Sequence, residues 1–225
     1  MDWSQDVRAA EVEPSLYAAD FARLGEQIAV LLEAGVRVFH FDVGDGHFVE
    51  PVTIGPIILE SIADQVHAGG AYLDCHLMVD NPKRHFPQIA RAGGDSVTFH
   101  VEACEEPWNA IAIARSHELG VGVAFKPETA VEDAIAASLG ADLVLCMSIV
   151  PGYSGQAFMP DALPRIGELR ASLPSAVRVQ VDGGVGADNI AVVHEAGADL
   201  LVAGSAVFGA PDPAETFRRL VAAVS

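Results

Sequence analysis

The chain has 225 residues, with 31 acidic against 13 basic ones, a formal net charge of −18, and 51% hydrophobic residues. It is too apolar for a disordered chain and too long for a disulfide-stapled miniprotein, and one domain with a large core is expected. Lys83 and Lys126 are the only lysines, so the sequence has no basic stripe for nucleic acid or an anionic membrane surface.

Short β-rich runs alternate with longer helical patterns along the chain. Strands are expected at residues 12–16, 38–43, 72–78, 96–101, 121–125, 143–149, 177–181 and 200–203. Amphipathic helices are expected at 20–34, 82–92, 107–119, 130–139, 161–173, 189–196 and 212–221. In the first of these, Phe21, Leu24, Ile28, Leu31 and Leu32 recur at helical spacing. Proline opens several of the others, as suits a first helical turn. Gly35, Gly93 and Gly197 each follow a helical run and precede an apolar strand, where a left-handed C-cap is needed.

Eight βα units in 225 residues make about 28 residues per unit, close to a compact (β/α)8 barrel. Residues 12–225 are therefore read as a single (β/α)8 TIM barrel and 1–11 as an N-terminal extension. An open doubly wound sheet is the runner-up. The longest apolar runs fall far below the ~18 residues of a membrane span. Cys75, Cys104 and Cys146 are odd in number and widely spaced, and the N-terminus is charged where a signal peptide is apolar. These features predict a cytoplasmic protein with neither a disulfide framework nor a cysteine zinc site.

Reactive groups of such a barrel stand at the C-terminal strand ends. Strand one ends near Ser15. On strand two, alternation puts His40 and Asp42 on one side. Strand three ends in Asp74-Cys75-His76-Leu77-Met78, strand four carries Thr98, His100 and Glu102, strand six ends in Met147-Ser148, and strand seven in Asp182-Gly183-Gly184. Two histidines and two aspartates facing inward from three strands would make a compact N2O2 site suited to zinc, iron(II), manganese or cobalt. A strand histidine is by default a hydrogen-bonded core residue, and that reading is preferred for His100.

Two glycine-rich turns follow strands seven and eight: Asp182-Gly183-Gly184-Val185-Gly186 and Ala203-Gly204-Ser205-Ala206. Glycines let backbone N–H groups approach an anion closely, which suits a phosphate; the plainer reading is a pair of tight βα turns. The stretch 150–158 sets Gly152 and Gly155 around Tyr153, as in a loop that folds over a substrate.

These motifs carry a resemblance. From about Val12 to Val221 the chain resembles the ribulose-phosphate 3-epimerase family. The shared segments are Pro14-Ser15-Leu16 with Ala19-Asp20-Phe21, residues 40–49, residues 53–56, Asp74 to Met78, Met147-Ser148 with Pro151 to Gln156, Val181 to Gly184, and Ala203 to Phe208. The resemblance implies one divalent metal held by His40, Asp42, His76 and Asp182. It implies that Asp42 and Asp182 are the acid and base. Ser15, His76, Met78, Met147, Gly152, Gly155, Gly183, Gly184, Gly204 and Ser205 would contact a phosphorylated ketose. It further implies a homo-oligomer that interconverts D-ribulose 5-phosphate and D-xylulose 5-phosphate through a cis-enediolate, in the pentose phosphate route.

There are departures from the family pattern. Gly44 stands where a cavity-lining methionine is usual, so the pocket is expected to be either wider or locally refilled. Glu50-Pro51 and Tyr153-Ser154 also differ. Two alternatives stay open: an epimerase of another ketose phosphate such as D-allulose 6-phosphate, and a catalytically silent sugar-phosphate-binding barrel.

Overall fold

A computed structural model describes residues 2 and 6–225; Trp3, in the N-terminal extension, lies outside the described residues. Strands and helices alternate from β1 (Glu11–Pro14) through α1 (Leu24–Glu33), β2 (Val38–Gly44), α2 (Pro56–Ala68), β3 (Tyr72–Met78), α3 (Phe86–Arg91) and β4 (Ser96–His100). They continue with α4 (Pro107–Ser116), β5 (Gly120–Phe125), α5 (Val131–Ala137), β6 (Leu143–Met147), α6 (Ala162–Ser172), β7 (Arg178–Asp182), α7 (Ile190–Glu195), β8 (Leu200–Ala203), α8 (Ser205–Phe208) and α9 (Pro213–Ala222).

The eight strands are parallel in the order β1-β8-β7-β6-β5-β4-β3-β2, and a parallel bridge from Ser15 to His40 joins the two ends. The sheet is thus a (β/α)8 barrel, and the doubly wound reading falls. The predicted helix caps hold: Gly35, Gly93 and Gly197 have φ of 97°, 89° and 117°, the left-handed region that glycine enters without a Cβ penalty.

Side-chain alternation divides the interior into two compartments. Outward residues such as Phe39, Phe41, Leu73, Phe99 and Val181 pack under the helices as the main apolar core. Inward residues differ by side of the barrel. Val38, Ala124, Leu143, Leu145, Met147 and Leu200 form a small apolar cluster. Glu11, Glu13, His40, Asp42, Asp74, His76, Ser96, Thr98, His100 and Gln180 are also buried. Polar groups without water need partners inside the protein, and most of these find them in one another.

Two predicted elements need correction. β1 starts at Glu11 and ends at Pro14, because the chain turns into a 3-10 segment at Leu16–Ala18; Ser15 thereby sits at the strand end. The helix predicted over 20–34 is a 3-10 turn at Phe21–Arg23, capped by the Asp20 carboxylate, followed by α1. Helix α2 has no predicted counterpart. Leu59, Ile62, Ala63 and Val66 form its buried face, but Ile57 on its first turn is 82% exposed, which blurs the amphipathic pattern.

Candidate metal centre and active site

The inward residues of β2, β3 and β7 converge at the C-terminal mouth of the barrel. Strand register sets Asp42 beside His76 across β2 and β3, and Met147 beside Asp182 across β6 and β7. Ligand atoms of His40, Asp42, His76 and Asp182 all lie within 4.8 Å of one another. His76 Nδ1 is 3.0 Å from Asp42 Oδ1 and 3.8 Å from Asp182 Oδ2. His40 Nε2 is 3.3 Å from Asp42 Oδ1, yet it is a buried nitrogen without a hydrogen-bond partner. Two imidazole nitrogens and two carboxylate oxygens, one nitrogen lacking a partner, could hold a divalent cation such as zinc, iron(II), manganese or cobalt.

Surrounding groups orient this set. His40 Nδ1 lies 3.1 Å from Asp74 Oδ2. Asp74 accepts in turn from Ser96 Oγ at 2.6 Å and from Gln180 Nε2 at 2.8 Å. Ser15 Oγ donates to Asp42 Oδ2 at 2.6 Å. On the far side, His76 Nε2 is 2.9 Å from His100 Nε2, and His100 Nδ1 is 3.1 Å from Glu102 Oε2.

Charge separates the two central carboxyls. Burial alone would raise the Asp42 pKa, but the charges and hydrogen bonds of His40 and His76 outweigh it and hold the group well below the usual carboxylate range. Asp182 goes the other way. Burial, then the nearby Asp42 charge, push it up to about 6. Burial disfavours an imidazolium at His40, but the Asp42 and Asp74 charges lift it well above the ordinary histidine value. His100, buried and not charge-compensated enough, falls to about 4 despite Glu102.

A cavity of about 260 Å³ opens above the four ligand-type residues. Of the residues singled out in the sequence, Ser15, Asp42, Met78, Met147, Gly152, Gly155, Asp182, Gly183, Gly184, Gly204 and Ser205 line it. His40 and His76 sit beneath its floor, fully buried. Tyr17, Ile149 and Val202 line it without having been anticipated; apolar residues next to a strand end carry no local signal of facing a cavity. His100 is the packed, hydrogen-bonded strand residue expected of it, and its partner is a ligand-type histidine; the spacing to Glu102 just after β4, the same as His40-x-Asp42, is the sequence signal for that contact.

Backbone geometry explains the glycines. Gly183 and Gly184 have φ of 123° and 65°. A Cβ on Gly184 would lie 2.4 Å from the Phe158 nitrogen, and one on Gly183 would lie 2.5 Å from Ile149 Cγ1. The turn after β7 therefore lies directly against the root of the 150–158 loop. That loop closes on itself through Gln156 Nε2, which donates to Val150 O and Tyr153 O at 2.8 and 2.9 Å. Around Gly44 the chain is tightly packed: a Cβ there would meet Pro51 O, Thr53 Cγ2 and Val49 Cγ2, each at 3.0 Å, and none of these four residues lines the cavity.

Comparison with known proteins agrees with this geometry. The profile of the ribulose-phosphate 3 epimerase family matches residues 11–208. The chain is 41% identical over 213 residues to a ribulose-phosphate 3-epimerase of Schizosaccharomyces pombe, covering 94% of this chain and 92% of the relative. It is 41% identical over 206 residues to a ribulose-phosphate 3-epimerase of Escherichia coli K12, covering 89% and 90%. Among solved structures, a 3-hexulose-6-phosphate synthase superposes with a TM-score of 0.70 at 22% identity, covering 97% of this chain and all of the other. KGPDC from Streptococcus mutans gives 0.72 at 15% identity, covering 96% and 98%. The two structural likenesses speak to the barrel alone, whereas the profile and the two sequence relatives span nearly the whole chain: it belongs to the ribulose-phosphate 3-epimerase family and is an enzyme of it.

Proposed function

We propose that the chain interconverts D-ribulose 5-phosphate and D-xylulose 5-phosphate by proton transfer at the carbon next to the ketone. The observation that carries this reading is the pair of carboxyls at one cavity, Asp42 on β2 and Asp182 on β7, with pKa values pushed in opposite directions. Inverting a carbon requires removing its proton from one face and delivering one to the other. Two titratable groups with separated pKa values are suited to be base and acid.

In one direction Asp42, ionised, takes the proton at a carboxylate oxygen, and Asp182 delivers one to the opposite face of the planar enediolate. The reverse reaction exchanges the roles. Ser15 holds Asp42 Oδ2 through its hydroxyl at 2.6 Å, which fixes the carboxylate plane. Gly183, Gly184, Gly204 and Ser205 offer backbone N–H groups to the phosphate at the cavity edge. Met78 and Met147 form apolar wall, and Gly152 and Gly155 let the loop around Tyr153 cover the sugar and exclude water.

His40, Asp42, His76 and Asp182 would hold the divalent metal. Bound there, it would act as a Lewis acid that offsets negative charge developing on the substrate oxygens. A cytoplasmic homo-oligomer accompanies this reading, by analogy with the family.

The pentulose is favoured over a longer ketose by the family match over residues 11–208 and by the ribulose-phosphate 3-epimerases to which the chain is 41% identical. The test assays D-ribulose 5-phosphate and D-allulose 6-phosphate side by side with zinc- or manganese-supplemented protein. A larger kcat/KM for the pentulose is expected; a larger one for the hexulose overturns the substrate assignment. Absence of turnover and of solvent deuterium exchange with either sugar would leave the silent barrel standing.

A further inference from the structure

The two ligand-type histidines are oriented by different devices. His40 Nδ1 meets the Asp74 carboxylate directly. A carboxylate only accepts, so Nδ1 carries the hydrogen, and in the neutral ring that binds a cation Nε2 holds the lone pair, 3.3 Å from Asp42 Oδ1. His76 has no carboxylate behind it; it has a second imidazole, that of His100, at 2.9 Å.

Behind His100 stands Glu102, and its two oxygens are already divided in use. Oε1 accepts from the Lys126 backbone N–H at 2.8 Å and from the Thr129 hydroxyl. Oε2 faces His100 Nδ1 at 3.1 Å. The ring of His100 is fully buried and packed between His76 and Phe48, with centroids at 5.0 and 4.7 Å. Lys126 Nζ caps Phe48 at 4.0 Å from its centroid.

From this geometry we infer that Glu102 and His100 are positioning residues for the metal centre: acting in series, they fix the tautomer of His76 so that its Nδ1 faces Asp42 and Asp182 as a bare lone pair. With both imidazoles neutral, as a metal-binding His76 must be, the chain of hydrogens runs in one direction. Glu102 Oε2 accepts from His100 Nδ1–H. The neutral His100 ring then has only an acceptor left, at Nε2. His76 Nε2 must donate to it, so in the neutral ring that binds a cation Nδ1 has no hydrogen and its lone pair is free for the metal. That nitrogen is the one 3.0 Å from Asp42 Oδ1 and 3.8 Å from Asp182 Oδ2. The inference rests on the metal site proposed above and extends it to two residues on and just after β4.

Glu102→Gln tests the direction of the chain with little change of shape. Oε1 keeps its two donors, so the new amide nitrogen falls opposite His100 Nδ1 and donates to it. Every hydrogen bond inward then reverses, and His76 turns an N–H toward the carboxylates. The zinc dissociation constant, measured by competition with a chromophoric chelator, should rise roughly 10- to 100-fold, the usual scale for loss of an outer-shell partner. His100→Phe keeps the ring packing and removes the acceptor, and a rise of the same order is expected.

A second measurement needs no variant. In zinc-loaded wild-type protein with 15N-labelled histidine, NMR should find His100 protonated at Nδ1 and His76 at Nε2. Protonation of His100 at Nε2, ligation of zinc through His76 Nε2, or wild-type zinc affinity in folded Glu102→Gln would each overturn the inference. If Glu102→Gln does not fold, the wild-type spectrum decides. Wild-type protein that binds no zinc defeats the metal site itself; wild-type binding with an indifferent variant defeats only the relay.

Discussion

Asp182→Asn should make the metal-free protein more stable at pH 8 while disabling it. Burial, and then the charge of Asp42, raise the Asp182 carboxyl from 3.8 to about 6. The folded state therefore binds this proton more tightly than the unfolded state. The stability this contributes is present below about pH 4 and is lost as pH rises through 6. Above pH 6 the ionised carboxylate stays buried beside Asp42 at a cost. A shift of about 2 units corresponds to ~3 kcal/mol, and the 17% exposure of the side chain reduces that to ~2 kcal/mol. The amide variant has the same shape and no charge, so it escapes this cost. Urea unfolding of chelator-treated protein should show the variant more stable by ~2 kcal/mol at pH 8, with the gap closing toward pH 4. Its turnover with metal restored should fall at least ~100-fold, the scale of a positioned acid or base. A variant that is less stable at pH 8, or a gap independent of pH, would refute the electrostatic account of this residue.

Chelation should abolish turnover and added divalent metal should restore it; zinc affinity, followed by equilibrium dialysis, should weaken as pH falls from the alkaline side toward and through about 6, because His40, lifted well above the ordinary histidine value, and Asp182, near 6, must release protons to bind a cation. Ser205→Ala should raise KM more than it lowers kcat in steady-state kinetics, since a phosphate contact is mostly uniform binding. Gly184→Ala should cost roughly 1–3 kcal/mol in urea unfolding and raise KM several-fold. Its φ of 65° disfavours a side chain, and the added Cβ would lie 2.4 Å from the backbone nitrogen of Phe158.

Local pattern reached the barrel and most of the site because each needs only short-range information. Period-two alternation is enough to put His40 and Asp42 on one side of β2, and a glycine after each of three helical runs is enough to mark their ends. Contacts set by barrel register were out of reach. Nothing near Ser15 indicates that its hydroxyl meets Asp42, 27 residues on; that pairing exists because β1 closes onto β2. Likewise Gln180 donates to both Glu13 and Asp74, three side chains from β7, β1 and β3 that meet only at the barrel axis. His100 is the buried, hydrogen-bonded strand residue expected of it, but its contact with His76 was not legible, for a different reason. A buried histidine on a strand is usually core, and the His-x-Glu spacing shared with β2 acquires meaning only once β3 is known to lie between the two strands. Helix α2 escaped notice because Ile57 puts an apolar residue on its exposed side.

The separation of the two carboxyls also constrains how this acidic chain would take the phosphate of the proposed substrate. Among the described residues, no lysine or arginine side chain lines the cavity. At physiological salt the Debye length is about 8 Å, so most of the −18 surface charge is screened from the cavity, and the groups inside it dominate. A lysine placed there would attract phosphate, but it would also lie within reach of Asp182 and draw its pKa back toward 3.8. The carboxyl whose raised pKa suits it to carry a proton would then give it up far more readily, and the acid of the proposed pair would be weakened. In the proposed reading, backbone N–H groups at Gly183, Gly184, Gly204 and Ser205 would attract the anion instead, through partial charges that fall off within a turn. Phosphate turns built on glycine would keep the anchor electrostatically apart from the chemistry, and the polar half of the barrel could tune Asp42 and Asp182 without answering to the phosphate.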